Sequence, residues 1–206
     1  GAAKSGTLLF ATNPAGKTSM EALETQLVTQ LRDTLLGGGL DALLSLDTQT
    51  ADRPQDHGKQ AGPMEFGLQD GYAIYLREVF FHVPALIADT LNANQKFDDS
   101  QKWYHRIFKP IESNSNAPQN RNYWQYKPFT DHKPERLEVN LKNYPQEFSI
   151  YASDPYDPHA IADLRPGAYE KSIVMKYIDN LLDWGDSLFR QNSWESTVQA
   201  TILYKM

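Results

Sequence analysis

The 206-residue chain contains no cysteine, and this absence rules out several kinds of chemistry. Without thiols the chain has no disulfide framework, no thiolate zinc site and no cysteine nucleophile. No stretch approaches the roughly twenty apolar residues that a membrane-spanning helix requires. The first residues, Gly1–Ser5, have no apolar signal region behind them. We therefore expect no transmembrane segment in these 206 residues.

Basic residues are also scarce, because 20 lysines and arginines stand against 26 acidic residues and the formal charge is -6. No basic run is long enough to follow a phosphate backbone, so nucleic acid is not an expected partner. Hydrophobic residues make up 40% of the chain and aromatic residues 12%, which is typical of a folded chain of one domain, or of two small packed units. Because the chain begins without methionine and ends within a helical pattern at Leu203–Met206, we expect a piece excised from a much longer chain.

Apolar spacing predicts a mainly α fold, an amphipathic helical bundle or set of hairpins after a short N-terminal strand at Thr7–Phe10. A capping box of Thr18 and Glu21 predicts the first helix, which the glycines at 37–39 end; Leu40–Leu46 forms another turn or two. Turn-rich residues then indicate a loop. We divide the chain into an N-terminal strand and helix, a loop, and a helical segment: 1–48, 49–69 and 70–206.

The helical segment shows its clearest apolar face around Pro84, which should kink or split the helix. A capping box of Asp98 and Gln101 predicts the next helix, antiparallel to the first and joined to it near 92–97. The apolar face of the helix before Pro84 carries Tyr72, Tyr75, Leu76, Val79, Phe80 and Val83. After an irregular aromatic stretch at 111–135, a small β-hairpin is predicted at Asn143–Pro145.

The last third is helical again, and Asn192 with Glu195 is predicted to cap the final helix, which carries Trp194, Val198 and Ile202. The helix predicted before it carries an apolar stripe of Ile173, Val174, Tyr177, Ile178, Leu181 and Leu182. The predicted core is Leu76, Val79, Phe80, Trp103, Ile107, Tyr177, Ile178 and Leu181. Replacing Trp103 by alanine should then cost about 3 to 5 kcal/mol.

Residues 11–18, Ala-Thr-Asn-Pro-Ala-Gly-Lys-Thr, fit a relaxed phosphate-binding loop between a predicted strand and a predicted helix. Lys17 would contact the terminal phosphates and Thr18 a magnesium ion. Pro14 removes one backbone amide from such a cradle, and the chain lacks the alternating strands and helices of a nucleotide-binding fold. We therefore expect no nucleotide site.

Acidic residues and a histidine crowd into positions 154–163 as Asp154, Asp157, His159 and Asp163. Such side chains could bind a divalent metal. No standard ligand spacing is matched, however, and Asp157 before Pro158 is typical of a helix start. We expect a helix cap here and no metal or other cofactor.

Histidines and aromatic residues offer the remaining candidate sites. His82 and His105 could act as bases if a carboxylate or serine met them in space, but no serine lies in a nucleophile-elbow motif. We expect both to be structural and assign no catalytic, cofactor-binding or metal-binding residue. The aromatic loop 121–129 could form a sugar-binding platform, although aromatic residues in helical proteins usually pack in the core.

Five segments in the same order and spacing resemble the A component of bacterial insecticidal Tc toxin complexes. They cover most of residues 40–206, whereas 1–39 match less clearly. The segments are Leu43–Gln49, Glu78–Ala88, Trp103–Pro110, Asp154–Ala162 and Val174–Asp186.

The resemblance implies a piece of a secreted, pore-forming subunit that forms a bell-shaped homopentamer with a helical shell around a translocation channel. The piece would follow the neuraminidase-like domain, whose name describes a fold and carries no hydrolase activity here. Expected partners are other domains of the same subunit, with the B and C cocoon components bound through other regions. A shell role is the first hypothesis; a receptor- or glycan-binding module using residues 121–129 is the alternative.

Overall fold

A computed structural model describes residues 8–12, 18–22, 26–55, 61–66, 72–110, 123–131, 156 and 166–206 of the chain. The described residues are mainly helical, which confirms the predicted fold class. Contacts divide the chain into two units, 1–65 and 66–206. The β-hairpin predicted at Asn143–Pro145 lies outside the described residues.

The first unit opens with two strands, β1 (Leu8–Thr12) and β2 (Thr18–Ala22), which pair antiparallel with Thr12 opposite Thr18. The helix predicted to begin at Thr18 is therefore wrong at its start. The backbone of β2 bonds to β1 instead of bonding within a helical turn, and helix α1 begins at Gln26 and runs to Leu43.

The glycine run interrupts α1 where the sequence predicted an end. Gly39 has φ 73° and ψ -169°, a conformation that glycine adopts without the steric penalty of a Cβ atom. Helix α2 (Leu46–Thr50) follows, and the Ser45 hydroxyl caps it by accepting the Thr48 N–H at 3.2 Å. Gln49 and Thr50 of the predicted loop 49–69 belong to α2, and in the part of the loop that is described β3 (Asp52–Arg53) pairs antiparallel with β4 (Gly62–Pro63).

In the second unit, α3 (Ala73–Arg77), a π-helical turn (Glu78–His82) and α4 (Val83–Ala93) follow one another without a break. The Val83 N–H donates to the Glu78 carbonyl, five residues back. Pro84 has no N–H to donate, so a change of hydrogen-bond register can accommodate it. The predicted interruption at Pro84 is thus a π-helical turn and not a split.

The π-helical turn shifts the buried face by one residue, because it adds a residue to the turn. Up to the middle of the turn, the buried positions are Ala73, Leu76 and Phe80; from Phe81 onward they are Phe81, Pro84 and Ala88. Tyr75 and Val83, which the sequence placed on the apolar face, are 69% and 44% exposed. An unbroken helical period cannot predict this shift.

Helix α5 (Phe97–Tyr104) packs against α4 as a hairpin, as predicted. Gln95 has φ 60°, and the Lys96 N–H donates to the Leu91 carbonyl at 2.9 Å, which closes the end of α4. The capping box of Asp98 and Gln101 is wrong, because the helix starts at Phe97 without a side-chain cap. Asp98 lies in the first turn and pairs with Lys102.

The described residues contain three further helices, α6 (Lys127–Asp131), α7 (Pro166–Arg190) and α8 (Trp194–Leu203). The predicted cap of α8 is wrong by one residue. Asn192 has φ 54° and bonds back to Phe189 at the end of α7, so the capping position falls to Ser193. Its hydroxyl accepts the Ser196 N–H, and the Ser196 hydroxyl accepts the Ser193 N–H, each at 3.1 Å.

Most of the predicted core is buried. Val79 and Trp103 are only half-buried, and Ile178 is 47% exposed, so the prediction for Ile178 is wrong. The apolar stripe of α7 is wider than the side of the helix that its neighbours cover. The residues confirmed as buried are Leu76, Phe80, Ile107, Tyr177 and Leu181.

Candidate functional site

The loop at 11–18 lacks the setting that a phosphate-binding loop needs. Ala11 and Thr12 end β1, and Thr18 begins an antiparallel strand instead of a helix. A helix N-terminus supplies both the free N–H groups and the favourable dipole for phosphate, and a strand supplies neither in that form. The predicted setting of strand before and helix after is therefore wrong; Pro14 and Lys17 lie outside the described residues.

The acidic cluster at 154–163 lies outside the described residues except for Tyr156, which is exposed. Its helix cap and its lack of a metal stay predictions. Within the part of the chain that the structure describes, no three histidine, cysteine or acidic side chains gather as metal ligands. None of the helices described is both long and apolar enough to cross a membrane.

The two candidate histidines lie within the helical packing. The His82 ring contacts the edge of Phe81 at 4.9 Å between centroids. His105 Nε2 lies 3.3 Å from the Tyr177 hydroxyl, which also accepts a hydrogen bond from Gln101 at 3.2 Å. Burial raises the pKa of Tyr177. These contacts join the end of α5 to the helix at Pro166–Arg190, and the absence of a catalytic role for His105 stays a prediction.

The aromatic loop packs inward. Residues 123–125 run beside 107–109, with the Lys109 N–H donating to the Tyr123 carbonyl at 2.7 Å. Trp124 is buried against Phe108 and Phe129 at 5.0 and 4.9 Å between ring centroids. Tyr126 stacks on Phe81 at 5.2 Å. These rings fill the core and form no exposed platform, which disfavours the sugar-binding alternative.

A polar cluster joins three helices of the second unit. The Tyr104 hydroxyl of α5 donates to Asp89 of α4 at 2.6 Å, and Lys176 of α7 pairs with the second Asp89 oxygen. Burial, followed by the hydrogen bond to Asp89, raises the pKa of Tyr104 well above its usual range. The tyrosine therefore stays neutral. The cluster consists of interhelical polar contacts and is not arranged as an acid–base pair.

One turn further along, α7 and α4 meet through amides. Asn180 is fully buried and its Nδ2 donates to Asn92 Oδ1 at 2.8 Å and to the Phe97 carbonyl at 3.4 Å. The Asn92 Nδ2 in turn donates to Asp183 at 2.8 Å. Sequence reasoning missed this network, because a single asparagine within an amphipathic helix reads as part of its solvent-facing side.

An apolar groove of about 500 Å³ lies between α7 and the end of α8. Ile178 and Leu182 of α7 line one part, and both are close to half exposed. Where α7 and α8 meet, a Cβ atom on Gly185 would stand 2.6 Å from the Tyr204 ring, so glycine permits this close approach. The remaining lining includes Phe108, Pro110, Val174, Leu203, Tyr204 and Met206.

A second apolar surface lies on the outer side of α8. Its residues recur every four positions, which places them on one side of the helix. The sequence analysis placed these residues on the final helix, in which Ser196 and Ala200 are the buried positions. The exposed stripe consists of Trp194, Val198 and Ile202, of which Trp194 is 77% exposed.

The comparisons with known proteins agree with one another. No family model matches the chain. It is 26% identical over 169 residues to the toxin subunit YenA2 of Yersinia entomophaga, a match that covers 80% of this chain and 11% of YenA2. The fold resembles the solved structure of Yersinia pseudotuberculosis TcaA–TcaB with a TM-score of 0.59 and 23% identity, covering 92% of this chain and 10% of that one. It also resembles the structure of Morganella morganii TcdA4 with a TM-score of 0.63 and 16% identity, covering 96% of this chain and 13% of that one.

The match to YenA2 concerns sequence, whereas the two solved structures show the fold alone. In each comparison most of this chain aligns with only 10% to 13% of the longer protein. The relation is therefore to one segment of much larger subunits. Over most of its length, this chain is homologous to the A subunits of Tc toxins.

Proposed function

We propose that the chain is a structural segment of the helical shell of a Tc toxin A subunit. In this role it packs against other domains of the same subunit and helps to support a secreted, homopentameric, pore-forming translocation complex. The B and C components bind through other regions of that complex. A host receptor or glycan bound elsewhere on the subunit is compatible with this role.

The observation that carries the proposal is the apolar surface on α7 and α8. Ile178 and Leu182 line an open groove on α7. The exposed side chains of Trp194, Val198 and Ile202 lie on the outer side of α8. Contiguous exposed apolar side chains usually mark contact with another protein surface. A segment that is surrounded by further chain in the complete subunit would use these surfaces for packing.

We propose no enzymatic activity for this segment. Catalysis needs a nucleophile, a base and an electrostatic stabiliser within reach of one another, and the sequence contains no recognised motif that joins all three. The polar groups of the second unit instead bond helix to helix, as Asp89 does with Tyr104 and Lys176.

The experiment introduces Ile178→Lys or Leu182→Lys into the full toxin subunit and measures pentamer assembly and channel conductance. We expect either lysine to impair assembly or conductance, because a charge cannot be buried unpaired in an apolar contact without a cost of several kcal/mol. Circular dichroism of the 206-residue chain with the same substitution should remain unchanged, since both positions are already half exposed.

Asp179→Lys is the matched control, because Asp179 is an exposed polar neighbour on the same helix. This variant should assemble and conduct normally. Normal assembly and conductance in both apolar-to-lysine variants would contradict the shell role. Hydrolysis of a sugar or nucleotide by the isolated chain would contradict the proposal that it is not an enzyme.

A further inference from the structure

Helix α7 carries two parallel apolar rows that are equally suited to burial. The first row is Ile173, Tyr177 and Leu181; the second is Val174, Ile178 and Leu182. Neighbouring residues are about 100° apart around a helix, so the two rows together form one wide apolar side. Hydrophobicity alone would centre the core on the boundary between the rows. Instead the first row is buried, whereas in the second row Val174 is half-buried and Ile178 and Leu182 are each 47% exposed. Both rows contribute to the groove, the first through Tyr177 and Leu181 at its floor and the second through the more exposed side chains.

A set of polar contacts flanks the first row on the side away from the second. It consists of the ion pair Lys176–Asp89 and the hydrogen bonds Asn180–Asn92 and Asn92–Asp183. We call these three contacts the polar ladder. Positions 176, 180 and 183 share one side of α7 because they are four and three residues apart. All three contacts bond α7 to α4.

Turning α7 by one residue toward its second row would break the whole ladder. Asn180 and its bond to Asn92 would move away from α4, and a buried polar group left without its partner costs about 1 to 3 kcal/mol. By contrast, the rotation would bury Ile178 and Leu182 in place of Tyr177 and Leu181, so one apolar pair would replace another in the core. The polar contacts therefore distinguish the two rotations more strongly than the apolar ones do.

We infer that the polar ladder sets the rotation of α7: it buries the row Ile173–Tyr177–Leu181 and leaves the row Val174–Ile178–Leu182 less covered, with Ile178 and Leu182 exposed along the groove. Buried polar contacts are known to select one packing arrangement among several of similar apolar burial, even where they add little stability. This role concerns the geometry of the helix and does not depend on the proposed shell function.

The chain has no cysteine of its own, which permits a direct test with single introduced thiols. Leu181→Cys reports on the buried row and Ile178→Cys on the exposed row. In native buffer, Cys at 178 should react with a maleimide reagent much faster than Cys at 181. In a background carrying Lys176→Met, Asn92→Leu and Asn180→Leu, we expect the ratio of the two rates to fall at least about tenfold, because the buried row becomes transiently accessible.

The matched control background is Ser100→Ala, which removes a buried hydrogen bond from Ser100 Oγ to the Ala88 carbonyl at 2.8 Å but leaves the ladder intact. Its rate ratio should match that of the parent chain. If the triple variant does not fold, Lys176→Met alone removes one partly exposed contact, and the ratio should then fall about threefold. An unchanged ratio in a folded ladder variant, or an equal fall in Ser100→Ala, would overturn the inference.

Discussion

The Tyr104 hydroxyl donates a 2.6 Å hydrogen bond to the Asp89 carboxylate and so ties α5 to α4. Lys176 of α7 pairs with the other oxygen of the same carboxylate. One acidic side chain therefore joins three helices. Because Tyr104 is itself buried, the contact contributes to stability as well as to the arrangement of the helices.

Tyr104→Phe should lower the free energy of unfolding by about 1 to 2 kcal/mol at neutral pH, since it removes a hydrogen bond to a charged group. Burial raises the pKa of Tyr104 in the folded chain. A raised folded-state pKa means that this stabilisation is complete below the unfolded pKa of about 10 and is lost as the pH rises above it. The difference between parent and variant should therefore narrow above about pH 10.

Urea unfolding at pH 8 and above pH 10 measures this narrowing. The exposed Tyr75→Phe serves as the control and should show little difference from the parent at either pH. A gap between parent and Tyr104→Phe that stays constant or widens with rising pH would show that Tyr104 does not contribute as described.

Phe80→Ala should destabilise the chain by about 3 to 5 kcal/mol, because a fully buried aromatic side chain leaves a large cavity. The same cost was predicted for Trp103 from the sequence, but Trp103 is half-buried beneath the Arg106 guanidinium, 4.2 Å from its ring centre. Trp103→Ala should therefore cost clearly less. Thermal unfolding of both variants compares them, and an equal loss would place Trp103 in the core.

Ser193→Ala should cost about 1 kcal/mol, the typical loss for an N-cap serine. Glu195→Gln should cost less than half as much at 0.15 M salt, because it weakens only a screened interaction with the helix dipole. Denaturant unfolding measures both. A larger loss for Glu195→Gln than for Ser193→Ala would contradict the assignment of the cap to Ser193.

The 206-residue chain should bind no ATP, because β2 follows the loop where a phosphate site would need a helix. Titration calorimetry with ATP and magnesium should show no binding heat. A micromolar dissociation constant that is abolished by Lys17→Ala would revive the phosphate-loop interpretation.

Several features of the fold followed from local chemistry in the sequence. The α4–α5 hairpin and the break at Gly39 were predicted because apolar period and glycine act within a few residues. At Pro84 the sequence predicted a kink or a split, whereas the helix continues through a π-helical turn at Glu78–His82. The predicted N-cap residues were wrong where the end of one helix and the start of the next lie only a few residues apart. Asn192 ends α7 in a left-handed conformation, and Ser193 takes the cap of α8.

The sequence by itself determined that this chain is mainly helical, which residues alternate as apolar rows, and that it resembles Tc toxin A subunits. Tertiary structure alone decided which rows are buried. The π-helical turn moved the buried face from Val83 to Pro84. On α7 the contacts of Asn180 and Lys176 accompany burial of one apolar row, while Ile178 and Leu182 of the other row stay exposed. The physical reason is that hydrophobicity measures how favourable burial is for each side chain, whereas partners from distant parts of the chain decide which side chains are covered.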